Sequence, residues 1–154
     1  MTMRHSYRIT KYNQRGPNGS LISPPSEWTS FGDVGTLVSE ADYLAVERAF
    51  LGAIRQLCVG MGLASFRVQE LEVHGFTGIH EGQQLDLDGV EHVAREVLRE
   101  RLWCKLVAPG AEFHFGYDYY LYFVSSRDAS VCLETISTSL TVDRYSSPYL
   151  LPDQ

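Results

Sequence analysis

"FHFGYDYYLYF", residues 113–123, holds seven aromatic rings, four of them tyrosines, together with one histidine, one glycine and one aspartate. Its alternation predicts a strand. Read as one uninterrupted strand, Phe113, Phe115, Tyr117, Tyr119, Leu121 and Phe123 share a face that packs on helices. His114, Asp118, Tyr120 and Tyr122 then share the other. The stretch is long for a strand, so a second reading places a bulge at Gly116, which flips the phase of everything after it. The polar side also admits several readings. Its tyrosines are sheet aromatics with satisfied hydroxyls, or a contact face of large rigid area, or part of a catalytic His/Asp/Tyr set.

Working outward, "WCKLV" (103–107) and the Pro109-Gly110 turn predict a hairpin leading into this stretch. Upstream of it, Val90, Val93, Ala94, Val97 and Leu98 recur at helical spacing behind an N-terminal box formed by Asp88 and Glu91. Glu91, Arg95, Glu96, Arg99 and Glu100 lie off that stripe, as on a solvated face. "SFRVQELEV" (65–73) predicts a strand with a phase slip near Glu70, and "HGFTGIHEGQQLDLD" (74–88) a glycine-rich loop. Before them, Ser39 is a good N-cap, with Asp42 completing the box. Tyr43, Val46, Phe50, Ile54, Leu57 and Met61 form one apolar stripe that Gly60 and Gly62 end.

At the N-terminal side, "SYRITKYN" (6–13) predicts a first strand, with Tyr7, Ile9 and Lys11 on one side. Residues 14–36 form a long irregular stretch of the kind that carries function. Downstream, Ser126 or Asp128 opens a third helix through Ala129, Cys132, Leu133 and Ile136. "LTVDRY" (140–145) returns as a last strand before a short tail containing proline. The predicted order β-α-β-α-β-β-α-β implies one α+β domain over residues 1–154, a mostly antiparallel sheet with helices packed on one face.

Composition sets limits on function. The 154 residues are 44% hydrophobic and 21% charged, ordinary globular material. The net charge is −6, and it is unevenly spread. Residues 1–15 carry four bases and no acid, whereas 16–98 carry twelve acids against four bases. Nucleic acid is disfavoured as a partner, because phosphate contacts need clustered Lys and Arg. A basic protein or a cationic ligand is favoured. No apolar run is long enough to span a bilayer, and the N-terminus shows no secretory h-region. Cys58, Cys104 and Cys132 lie far apart in apolar sequence, as buried free thiols in a reducing compartment do, so the cytoplasm is expected.

Chemistry-bearing motifs are scarce. There is no P-loop, G-x-G-x-x-G, G-x-S-x-G or C-x-x-C. Glu72, His74, His80 and Glu81 lack ligand spacing, so neither metal nor cofactor is expected. A nucleophile built from Cys104 and His114 across the hairpin gives way to inert burial of the thiol. In "SEWTSFGDVG" (26–35), Trp28 is either a binding tryptophan or a plug at the edge of the core. Asp33 is either a contact or the cap of its own turn.

Five blocks are familiar together: "YRITKYN" (7–13), "EWTSFGDVG" (27–35), "WCKL" (103–106), "FGYDYYLYF" (115–123) and "SPYL" (147–150). They resemble a family of small bacterial proteins of about this length. The resemblance covers most of the chain and is weaker in 74–88 and in the third helix. Gln14 stands where proline is expected, and Val34 where isoleucine is commoner. The family is similar in size, charge and missing catalytic motifs to the acidic immunity proteins that accompany bacterial toxins.

The leading expectation is a cytoplasmic interaction protein that binds and neutralises a toxin. Its binding residues are drawn from Trp28, Asp33, His114, Asp118, Tyr120 and Tyr122. The runner-up is a small-ligand protein or hydrolase-type enzyme. Its pocket lies between the 14–36 loop and the 113–123 strand, with His114 and Asp118 as acid–base groups. A deep pocket around His114 favours the enzyme, and a flat aromatic patch favours the binder.

Overall fold

The helix that Ser39 opens is the longest element of the computed structural model, which describes residues 2–75, 77–136 and 139–150. In chain order come β1 (His5–Thr10), β2 (Gln14–Arg15), β3 (Leu21–Ile22), a 3-10 turn (Phe31–Asp33) and α1 (Glu40–Met61). Then follow β4 (Phe66–Val73), β5 (Gln84–Leu85), α2 (Leu87–Leu98), β6 (Leu102–Ala108), β7 (Ala111–Phe115), β8 (Tyr120–Ser125), α3 (Ser130–Leu133) and β9 (Thr141–Arg144). Among the described residues, seven strands make one antiparallel sheet in the order β5-β4-β6-β7-β8-β1-β9. The α+β class holds, with the three helices packed against this sheet.

Local chemistry explains the helix ends. Ser39 Oγ accepts from the Asp42 amide at 3.1 Å, and Gly62 ends α1 in the left-handed region at φ 70°. Helix α2 begins earlier than the expected box. Asp86, not Asp88, is its cap and accepts from the Gly89 amide at 2.8 Å. The third helix is a single turn opened at Ser130, where Asp128 takes both the amide and the hydroxyl of Ser130. The 14–36 stretch is less irregular than expected, because it holds the small β2–β3 hairpin and the 3-10 turn.

The aromatic stretch is not one strand. It folds back on itself as the β7–β8 hairpin, with Phe113 opposite Phe123, His114 opposite Tyr122 and Phe115 opposite Leu121. Phe113, Phe115, Leu121 and Phe123 bury their rings and branches in the core. His114 and Tyr122 lie on the other face. Neither the uninterrupted strand nor the phase-flipping bulge occurs, but the expected assignment of faces survives for every strand residue.

That other face is also covered. After β9 the chain turns back as a strap (145–150) across β1, β8, β7 and β6. Tyr145 packs on Arg8 and Tyr122, Ser147 meets His114, and Tyr149 packs on Trp103 while its carbonyl accepts from Lys105 Nζ at 2.7 Å. Lys105 also pairs with Glu70 at 2.7 Å. Glu70 sits in the expected bulge of β4 at φ 54°, and the bulge aims its carboxylate at this buried ammonium.

Two corrections concern charge and thiols. The outward face of α2 is not simply solvated. Arg99 clamps the buried Glu47 of α1 through two hydrogen bonds of 2.7 and 2.9 Å, and Glu96 is itself buried. Cys58 and Cys104 are buried, and burial pushes both thiols up to about 12. Cys132 is only half-buried.

Candidate functional site

β4 ends, β6 begins and the β7–β8 hairpin turns at the same end of the sheet. The turn is tight. The Gly116 amide donates to the Tyr120 carbonyl at 2.6 Å, while Asp118 and Tyr119 both take left-handed backbone at φ 61° and 64°. A Cβ at Gly116 would lie 3.0 Å from the Tyr122 ring and 3.2 Å from Tyr120 Cβ, so any larger residue there must push these neighbours aside.

This backbone sends consecutive tyrosines to different places. Tyr119 turns inward, donates to the Leu98 carbonyl at 3.0 Å and packs edge-on against Trp28 with ring centroids 4.8 Å apart. Burial raises its pKa well beyond the ordinary phenol range. Tyr117 turns outward and is 84% exposed.

Between the turn, the end of β4 and the exit of α2 lies a cavity of about 300 Å³. Its floor is apolar, with Leu98, Phe115 and Leu121, and Trp103 and Tyr117 form aromatic walls. Trp103 is fixed by its indole N–H, which donates to the Phe115 carbonyl at 2.8 Å. Among the described residues, the polar lining consists of Glu72, His74, Glu100 and Asp118 with Thr29 and Ser30, and no lysine or arginine contributes. Glu100 accepts from the Phe31 amide. Among the described residues, Glu72 and Asp118 make no ion pair or side-chain hydrogen bond. Carboxylates on a low-dielectric wall give the cleft a negative potential.

The six residues proposed from sequence fall in different places. Asp118 and Tyr120 line the cleft. Tyr120 is half-buried, packing on Tyr12 at 5.5 Å and lying under the Arg8 guanidinium. Trp28 plugs the core, 8% exposed, against Tyr43 and Tyr119. Asp33 caps its own turn, accepting from the Thr29 and Ser30 amides at 2.9 and 3.2 Å. Tyr122 lies beneath the strap, between Tyr145 and Tyr149.

His114 is 0% exposed and belongs to a different arrangement. Its Nδ1 is 2.7 Å from Ser147 Oγ, and its Nε2 is 2.7 Å from Glu112 Oε1. Serine, histidine and carboxylate in a chain have the composition of a hydrolase triad. Here the serine also accepts from the Tyr149 amide at 3.2 Å, and His114 does not line the cleft. The chain satisfies buried polar groups and fastens the strap. His114 and Asp118 do not meet as an acid–base couple.

The remaining carboxylates of the cleft and His74 carry no sequence signal for this site: Glu72 and His74 read as would-be metal ligands, and Glu100 as part of a solvated helix face. Glu81, close to Glu72 and His74 in sequence, accepts from the Glu70 and Leu71 amides and holds the bulge. Comparison with profiles of known families, with curated proteins and with solved structures found no match.

Proposed function

We propose that this chain is a protein-interaction module of the immunity type, which binds a basic protein partner, a toxin in the leading reading, at the tip of the aromatic hairpin. One observation carries the reading. Among the described residues, the cleft at the tip is lined by three carboxylates and one histidine and by no lysine or arginine, beside a tyrosine left almost wholly in water. Aromatic rings at the centre of a contact supply affinity, and acids around them steer an oppositely charged partner. The net charge of −6 acts in the same sense at longer range.

A second reading has its own observation. The cavity lies between Thr29–Ser30 of the 14–36 loop and the aromatic hairpin, where a small-ligand pocket was expected. The exposed Tyr117 and the absence of His114 from the lining favour the binder. The test is affinity capture from the cells that make the protein, comparing the native chain with a Tyr117→Ala/Asp118→Lys variant. The expected result is a basic protein that forms a stoichiometric complex with the native chain and is depleted at least tenfold on the variant. A partner held equally well by both would contradict the reading.

A further inference from the structure

We infer that the cleft accepts a single arginine side chain of the partner, its guanidinium lying against Trp103 and Tyr117 and between the carboxylates of Glu72 and Asp118. The inference deepens the proposed function and rests on it.

Size, sign and shape lead to the same ligand. A volume of about 300 Å³ lies at the small end of ligand pockets, enough for a side chain and small for a cofactor. The carboxylates come from three separate elements: Glu72 from β4, Glu100 from the exit of α2 and Asp118 from the turn. An anionic group is repelled there. The apolar floor suits an aliphatic stem, and the walls suit a flat, weakly hydrated cation that stacks on rings. Arginine meets both requirements better than lysine.

The molecule already uses this recipe twice on its own cations. Arg8 stands over the Tyr145 ring at 3.9 Å and the Tyr120 ring at 5.3 Å, and pairs with Asp143 at 3.1 Å. Lys11 lies 4.2 Å from the rings of both Tyr12 and Trp28, and pairs with Glu27 at 2.9 Å. Rings and carboxylate together hold a largely desolvated cation in each case. The cleft offers rings and carboxylates of the same kinds, and none of its described lining residues is a lysine or arginine.

The protein's two tryptophans supply the readout, because Trp103 lines the cleft and Trp28 is buried beside it. The folded chain is titrated with acetyl-Gly-Arg-Gly-amide while the two indole N–H resonances are followed by NMR, with Trp103→Phe assigning them. The expected result is a saturable shift of the Trp103 signal larger than that of Trp28. The citrulline analogue, which keeps the shape and removes the charge, is expected to bind at least tenfold more weakly. Glu72→Gln/Asp118→Asn is expected to weaken the arginine peptide by a similar factor with an unchanged melting temperature. No Trp103 shift at millimolar peptide, or equal binding of the citrulline peptide, would overturn the inference. Methylguanidinium binding as tightly as the peptide would make the cleft a free-cation site and also overturn it. A captured basic partner that Tyr117→Ala/Asp118→Lys releases but Glu72→Gln/Asp118→Asn does not sinks this inference and leaves the interaction reading intact. Peptide binding without any captured partner supports the cleft and counts against the interaction reading.

Discussion

Tyr117 and Tyr119 stand two residues apart in one turn, yet one is in water and the other in the core. Tyr119 gives its hydroxyl to the Leu98 carbonyl and its ring to Trp28 and Tyr43. Tyr117 is held by little except the backbone that presents it. The difference shows that residue type decides nothing here. The left-handed backbone at Asp118 and Tyr119 decides which ring stabilises the fold and which is left for a partner.

The sharpest way to break this comparison is to truncate both rings. Tyr119→Ala is expected to lower stability by about 3–5 kcal/mol, as large aromatic truncations in cores do. Tyr117→Ala is expected to stay within about 0.5 kcal/mol of the native chain. Chemical denaturation of both variants checks this, and equal losses would erase the distinction.

Next in size is Glu47→Ala, which leaves the Arg99 guanidinium without its clamp between α1 and α2. A fully enclosed pair loses about 3–5 kcal/mol when one partner is removed; Arg99 keeps some contact with water, so about 2–3 is expected here. A loss below about 0.5 kcal/mol would mean that this helix face is solvated after all.

Ser147→Ala tests the strap. It removes the hydroxyl beside His114 Nδ1, and an unsatisfied buried nitrogen costs about 1–2 kcal/mol. The strap hypothesis also requires faster amide exchange at Tyr149, and unchanged exchange would contradict it. Smallest is Asp118→Asn, for which the expected change in stability is within about 0.5 kcal/mol. Its effect belongs on the association rate with a basic partner and on the salt dependence of that rate. A large loss of stability would place Asp118 with the core residues.

Much of the fold was legible because short-range rules govern it. Ser39, the apolar stripe of α1 and Gly62 announce a helix, and the slip at Glu70 announces a bulge. The hairpin turn at residues 116–119 was invisible for a definite reason. Pairing Phe115 with Leu121 leaves five residues between them, an odd number, so the alternation continues across the turn as though the strand were unbroken. Tyrosine at positive φ is a poor turn signal, and there is no Asn-Gly or Asp-Gly to mark the place.

The site was legible only in part, because Asp118 and Tyr120 line the cleft while Trp28, Asp33, His114 and Tyr122 do not. Its other carboxylates arrive from segments about 28 residues apart, which no local pattern links. The strap was equally hidden. "SPYL" reads as a tail until Ser147 and Tyr149 are seen against His114 and Lys105.

The most direct test of the central claim, that the turn divides the aromatic stretch into core and contact surface, is nitration of the native protein with fragment mapping. Tyr117 is expected to react first within the 113–123 peptide, Tyr120 more slowly, and Tyr119 and Tyr122 only after unfolding. Reaction of Tyr119 as fast as Tyr117 in the native state would contradict the account.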